Sequence, residues 1–310
     1  MSYKTGPAFI HGQIDRAHLR REDAAWIEQQ RAREEAHVVV IAGDQPLYGE
    51  APNPGPSALF ARPAADQLAP GAEEMFLGLD TTDRPIFARM APSLGDDGPP
   101  EGTSQGDLRQ IALAGALPEA EVSLLALARS MLSWHQSHRF CSKCGEPSQM
   151  VLGGFRRDCG SCGAQHFPRT DPVVITLVID GEDALIARSE RFVPGMYSAL
   201  AGFVEPGETI EQAVRREILE ESQIEVGRIA YHSSQPWPYP SSLMVGCIGE
   251  ALSREITIDP VEIEHAMWVS RDDVRAALAG DGPFRAPQPV AIAHHLLRSF
   301  AESNTPPFPG

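Results

Sequence analysis

Two cysteine knuckles constrain this chain more than any other feature. Cys141-Ser-Lys-Cys144-Gly and Cys159-Gly-Ser-Cys162-Gly are separated by 14 residues. That spacing lets two tight turns present four thiolates tetrahedrally, as Zn²⁺ prefers, while Gly145 and Gly163 permit the close backbone. An iron centre or a redox pair is the alternative for such cysteines. Four sulfur ligands leave no open coordination position, so one structural zinc is expected and the chemistry lies elsewhere. Cys247 stands alone in an apolar stretch. Met1–Ile10 lacks the basic-then-apolar order of a signal peptide, which favours metal over disulfides and a cytoplasmic location.

At 310 residues the chain has room for two domains, each with its own core. No apolar run approaches the roughly 18 residues of a membrane span. The net charge of −16 repels nucleic-acid backbones at long range and argues against broad RNA or DNA coating. A local phosphate site remains open to such a chain, because a bound divalent cation reverses the field there.

Patterning divides the chain further. Helical spacing over Asp23–Glu35 turns Trp26 and Ile27 inward, and strands are predicted at His37–Ile41, Glu74–Leu79 and Pro85–Met90. Asp44–Pro56 is punctuated by Pro and Gly, Asp96–Gly106 is a polar loop, and a helix over Leu117–Ser137 leads into the cysteines. Val173–Ile179 (VVITLVI) is the unbroken apolar run of a strand covered on both faces. A hairpin partner follows at Ala184–Arg188, then a helix at Thr209–Ser222 and strands at Leu243–Glu250 and Ala266–Val269. Helices over Arg271–Ala279 and Pro289–Phe300 precede a proline-rich tail. Strands mixed with helices give an α/β class with a helix-flanked sheet.

Residues 202–224 read GFVEPGETIEQAVRREILEESQI. Glu217 and Glu221 lie one helical turn apart, so their carboxylates stack on one face with Glu220 beside them. Uncompensated, such charges repel by a few tenths of a kcal/mol per pair. Hard oxygen ligands suit Mg²⁺ or Mn²⁺, and a bound cation relieves the repulsion. Arg216 is placed to pair with a nearby acid, Glu208 being the candidate, and to hold the loop onto the helix. An isolated E-x-x-E-E is ordinarily a solvated acidic face. Here it completes a longer pattern that resembles the Nudix box, G-x5-E-x7-R-E-U-x-E-E-x-G-U, where U is a bulky apolar residue. Gly202, Glu208, Arg216, Glu217, Ile218, Glu220, Glu221 and Ile224 fall on register. Gln223 replaces the last box glycine, so the helix must end in a costlier backbone conformation or run slightly longer.

Downstream stand Ser233-Ser234-Gln235-Pro236-Trp237-Pro238-Tyr239-Pro240-Ser241-Ser242. Prolines alternating with aromatics make a stiff extended segment that presents a flat wall for a nucleobase or nicotinamide ring. The plain alternative is a Pro-rich loop packed on the core. The order resembles the SQPWPFPxS array of the NADH pyrophosphatase branch of the Nudix superfamily, with Tyr239 in place of phenylalanine.

The resemblance covers about Phe140 to Phe300, and weakly the region before it. It implies a Nudix α/β/α sandwich with a mixed sheet at 170–302 and a zinc ribbon at 136–169. Before these it implies a divergent Nudix-like α+β domain at 1–135, and after them a flexible tail at 303–310. It implies hydrolysis of the pyrophosphate of NADH or NAD⁺ to NMNH or NMN and AMP, and removal of NAD caps from RNA 5′ ends. Two or more Mg²⁺ or Mn²⁺ ions would bind Glu217, Glu220, Glu221, Glu262 and the carbonyl of Ala201, with Glu264 the alternative to Glu262. Arg216 joins these glutamates as a catalytic residue. Gln235, Pro236, Trp237, Pro238, Tyr239, Pro240, Ser241 and Ser242 would bind substrate, with further contacts from Phe167 (a tyrosine in the family), Arg109 and Ala293. The family usually forms homodimers. Rival readings are a Nudix hydrolase for ADP-ribose or diadenosine polyphosphates, and a non-catalytic zinc module that binds nucleic acid or a partner.

Overall fold

The computed structural model describes residues 6–50, 55–95, 98–303 and 308. By internal contacts it forms two units, residues 9–170 with 237–241, and residues 171–236 and 242 onward with 6–8. Among the described residues no helix is long and apolar enough to cross a membrane.

In the first unit, α1 (Ala24–Arg31) starts at Asp23, whose carboxylate accepts the N–H groups of Ala25 and Trp26. Then come β1 (His37–Ala42), β2 (Gln45–Glu50), β3 (Pro56–Ser57), β4 (Phe60–Ala61), α2 (Arg62–Leu68), β5 (Glu74–Leu79), β6 (Pro85–Ala91) and β7 (Thr103–Gln105). They build a seven-stranded sheet in the order β3-β2-β1-β6-β5, with β4 on β1 and β7 on β2. Val38, Val40, Leu47, Phe76 and Phe87 form its core with Trp26 and Ile27. Strand β2 occupies a stretch expected to be a turn-rich connection, because Leu47 is drawn into that core. Two short helices were also hidden in the sequence, α2 and α3 (Leu108–Ala114). The latter is announced only by Asp107, which caps the N–H of Gln110. Helix α4 (Glu119–Ser137) follows, leading into β8 (Ser148–Val151), β9 (Arg156–Cys159) and β10 (Gln165–His166), a small antiparallel sheet. Parts of the expected loops, residues 51–54 and 96–97, lie outside the described residues, as does the tail apart from Ser303 and Phe308.

The second unit comprises β11 (Asp171–Asp180), β12 (Asp183–Arg188), β13 (Leu200–Phe203), α5 (Ile210–Ser222), β14 (Val226–Trp237), β15 (Ser242–Ala251), β16 (His265–Ser270), α6 (Arg271–Ala279) and α7 (Ile292–Glu302). Its sheet runs β14-β15-β11-β12-β16, with β13 added on β11. The sheet is mixed, since β11 pairs parallel with β15 but antiparallel with β12 and β13. Alternation along β11 explains its unbroken apolar run. Ile175, Leu177 and Ile179 face one core with Ile292, Leu296 and Phe300 of α7. Val174 and Val178 face the other with Ala213, Val214 and Ile218 of α5. The result is an α/β/α sandwich. Strand β14 extends the sheet through residues expected only to be an extended loop, and Pro236 fits there because β14 is an edge strand.

Candidate functional site

Helix α5 opens with a capping box, in which Thr209 and Gln212 each bond the other's main chain. It closes at Gln223 in the left-handed region, φ 57° and ψ 21°. Of the two exits open to a non-glycine residue, the chain takes the strained one rather than a longer helix. The Gln223 amide offsets part of that strain by donating to the Leu219 carbonyl at 2.9 Å.

Along α5 the acidic residues sit in different surroundings. Glu221 is 6% exposed, and its buried Oε2 has no hydrogen-bond partner. Burial, and then repulsion from Glu217, Glu262, Glu220 and Asp259, pushes its carboxyl up to about 8. Burial also raises Glu217, against hydrogen bonding from Arg216. Arg216 grips Glu208 with two nitrogens at 2.6 and 2.8 Å, so the expected pair is present. Its remaining bonds reach Glu217 at 2.8 Å, Glu220 at 3.0 Å and the Phe203 carbonyl at 2.8 Å. Hydrogen bonding from Arg216 holds Glu208 down to about 2. One guanidinium thus ties the β13–α5 loop to the acidic face.

Strand β13 runs against this face. A Cβ built on Gly202 would lie 1.9 Å from the Glu217 carboxyl carbon and 2.1–2.2 Å from its oxygens. The box glycine is therefore the floor on which Glu217 rests, and Ala201 precedes it on the same strand. Glu262 repels both Glu217 and Glu221, whereas Glu264 is held 2.7 Å from Arg188. Sequence reading missed Asp259, which adds charge beside Glu221 and donates its N–H to the Glu221 carbonyl at 3.2 Å. It lies far along the chain from the box, and only the fold brings it there. A buried orphan oxygen, a ring of repelling carboxylates and a glycine cradle suit a divalent cation. The carboxylates are looser than a closed cage. Among the described residues only the four cysteines form a group whose ligand atoms all lie within 4.8 Å of one another.

Those sulfurs have the spacing zinc needs. Cys141 and Cys162 are 3.6 Å apart and Cys144 and Cys159 3.5 Å, near the roughly 3.8 Å edge of a tetrahedron with 2.3 Å bonds. Burial works to raise the Cys141 thiol, but hydrogen bonds from the Lys143 and Cys144 amides, His166 and Cys162 together hold it down to about 6. At Cys144 the Glu146 amide is outdone by the other sulfurs, which lift it to about 12. This is a closed structural zinc site.

The downstream array splits. Gln235 is fully buried, its amide donating to the carbonyls of Ala8 at 3.0 Å and Val290 at 2.8 Å and accepting the Ile292 N–H at 2.8 Å. Both amide hydrogens and one lone pair of this expected substrate contact are thus used within the protein, tying Ala8 and Val290 to the first turn of α7. Ala293, the other expected contact from α7, is buried at 4% exposure among the residues of that core. Pro238, Ser241 and Ser242 are buried, Ser242 pairing with Asp171 at the start of β15. Trp237 and Tyr239 stay partly open, Pro236 and Pro240 are exposed, and Tyr239–Pro240 is a cis peptide. Residues 237–241 belong by contacts to the first unit. There Arg109 lies 5.9 Å from the Trp237 ring centroid, and the two rings are 5.2 Å apart. Phe167 is 62% exposed on the zinc module.

A mixed sheet sandwiched by helices, with an acidic helix seated on a strand glycine, is the arrangement of a Nudix domain. Family profiles match three successive stretches. They are an NADH pyrophosphatase-like rudimentary NUDIX domain at 35–134, an NADH pyrophosphatase zinc ribbon domain at 136–167 and a NUDIX domain at 169–288. The chain belongs to the NADH pyrophosphatase branch of the Nudix family. It is 47% identical over 200 residues to the NAD-capped RNA hydrolase NUDT12 of Macaca fascicularis, covering 61% of this chain and 43% of that one. It is 42% identical to the mitochondrial NAD(P)H pyrophosphatase NUDT13 of Mus musculus, covering 61% and 57%. To the NAD-capped RNA hydrolase NudC of Chromobacterium violaceum it is 44% identical, covering 59% and 66%. The matches thus span less than two thirds of each relative's length.

Proposed function

We propose that this protein hydrolyses the pyrophosphate linkage of NADH and NAD⁺, releasing NMNH or NMN and AMP, and removes NAD caps from RNA 5′ ends. The observation that carries this reading is Glu221, a buried carboxylate with an unpartnered oxygen among Glu217, Glu220, Glu262 and Asp259. Glu217, Glu220, Glu221, Glu262 and the Ala201 carbonyl are the groups that would hold Mg²⁺ or Mn²⁺. Such cations supply charge that neutralises diphosphate oxygens and acidifies water. Gly202 and Arg216 fix the carboxylates in place. Glu221 or Glu262 takes the proton from the attacking water. Trp237, Tyr239 and Phe167 offer ring faces for the nicotinamide or adenine, and Arg109 offers a positive charge.

The domain scheme of 1–135, 136–169, 170–302 and a tail from 303 is part of the proposal, supported by the order of the three profile matches. So are a cytoplasmic location, supported by metal-type cysteine pairs, and a homodimer, which light scattering tests against the 33.6 kDa chain. Product chromatography from NADH with magnesium tests the activity. NMNH and AMP are expected, with at least a hundredfold loss in Glu221→Gln. Intact NADH at high enzyme concentration overturns the reading, and parallel assays of NAD-capped RNA rank the two substrates.

A further inference from the structure

The array contains a contact that no part of the box explains. Arg129 projects from α4 with its side chain only 13% exposed. Its guanidinium lies 4.4 Å from the Tyr239 ring centroid, donates to the Pro238 carbonyl and donates through Nε to the Asp44 carbonyl at 2.9 Å. One planar group therefore pins the β1–β2 turn, the main chain of the array and the face of one of its rings.

Pro236, Pro238 and Pro240 have no N–H groups, so hydrogen bonds can fasten this stretch through its main chain chiefly at carbonyls. Arg129 takes the carbonyl between the two rings. Tyr239 in turn stands 5.2 Å from Trp237, which has Phe9 edge-on at 6.0 Å. The rings form a ladder with Arg129 at one end. Only arginine combines a stacking plane with a fork of donors, whereas lysine keeps the charge and loses both.

We infer that Arg129 is a positioning residue that sets the planes of Tyr239 and Trp237 for stacking on the dinucleotide. This rests on the proposed pyrophosphatase reading. Arg129→Ala is expected to raise KM for NADH about tenfold with kcat within about twofold, the pattern of lost ground-state binding. Arg129→Lys restores less than half of that loss. Arg129→Met keeps the buried stem and gives the same split if the alanine variant does not fold. Near-ultraviolet circular dichroism reports ring packing whether or not substrate turns over, and its Trp–Tyr signal should fall in each variant.

An unchanged KM with an unchanged dichroic signal overturns the inference. So does a fall in kcat that tracks a fall in melting temperature in the methionine variant, which marks a purely structural arginine. A wild-type chain that leaves NADH intact overturns the pyrophosphatase reading instead, and the dichroic comparison then still decides whether Arg129 holds the rings.

Discussion

Gly202→Ala tests the architecture of the acidic face with a single methyl group. The added carbon would sit 1.9 Å from the Glu217 carboxyl carbon, against about 3.4 Å for an ordinary close contact. The carboxylate must retreat by about 1.5 Å, abandoning its 2.8 Å bond to Arg216. A displacement of about 1 Å in a reacting group commonly costs about 100-fold in rate, so kcat/KM for NADH should fall at least that far. Stability should barely change. Residue 202 lies on a strand and lacks the positive φ that makes alanine costly. Steady-state kinetics with magnesium, manganese titration followed by electron paramagnetic resonance, and a thermal melt would be read side by side. Shortening the side chain with Glu217→Asp in the same chain returns about one carbon of room, so the double variant should regain several-fold activity over Gly202→Ala. Activity within fivefold of wild type, with unaltered manganese binding, would refute the idea that this glycine seats a metal-binding carboxylate.

Three further outcomes follow from the geometry. His135 is 5% exposed, and its burial, then the nearby Arg157, holds it down to about 4. Because the unfolded chain takes up this proton and the folded one does not, stability is full above about pH 6.5 and drains away toward pH 4. The loss is on the order of 3 kcal/mol. Urea midpoints at pH 7 and 4.5 should show it in wild type and show much less in His135→Gln. Gln223→Gly releases roughly 1–2 kcal/mol of left-handed strain but gives up the side-chain bond to Leu219 and gains chain entropy when unfolded. The melting temperature should rise by about 1–2 °C, and a fall would show that the glutamine cap dominates. Cys159→Ser should lower zinc from one ion per chain to none by elemental analysis and depress melting of the first unit; retained zinc would break the four-sulfur assignment.

Much of this was legible because periodicity reports burial. The run Val173–Ile179 marked a strand covered on both faces, and Thr209–Ser222 carried the pattern of the helix that became α5. The cysteine spacing likewise carried its own geometry, since tight turns fix where sulfurs go. What could not be read was decided at long range. The partners of the Gln235 amide, Ala8 and Val290, stand 227 and 55 positions away. Glu262 and Glu264 differ only by which of them meets Arg188. Helix α2 was hidden because its first turn contains Pro63, which reads as a breaker until seen at a helix start.

The grouping of residues 237–241 with the first unit has a consequence for how such a protein changes over time. Chain order files the aromatic stretch with the carboxylates, yet Arg109 and Arg129, which flank its rings, are drawn from α3 and α4. Under the proposed function, drift in those two helices would reshape what the rings accept while leaving the acidic face untouched. The proposed grip and the proposed scission would then be open to mutation in separate stretches of one polypeptide.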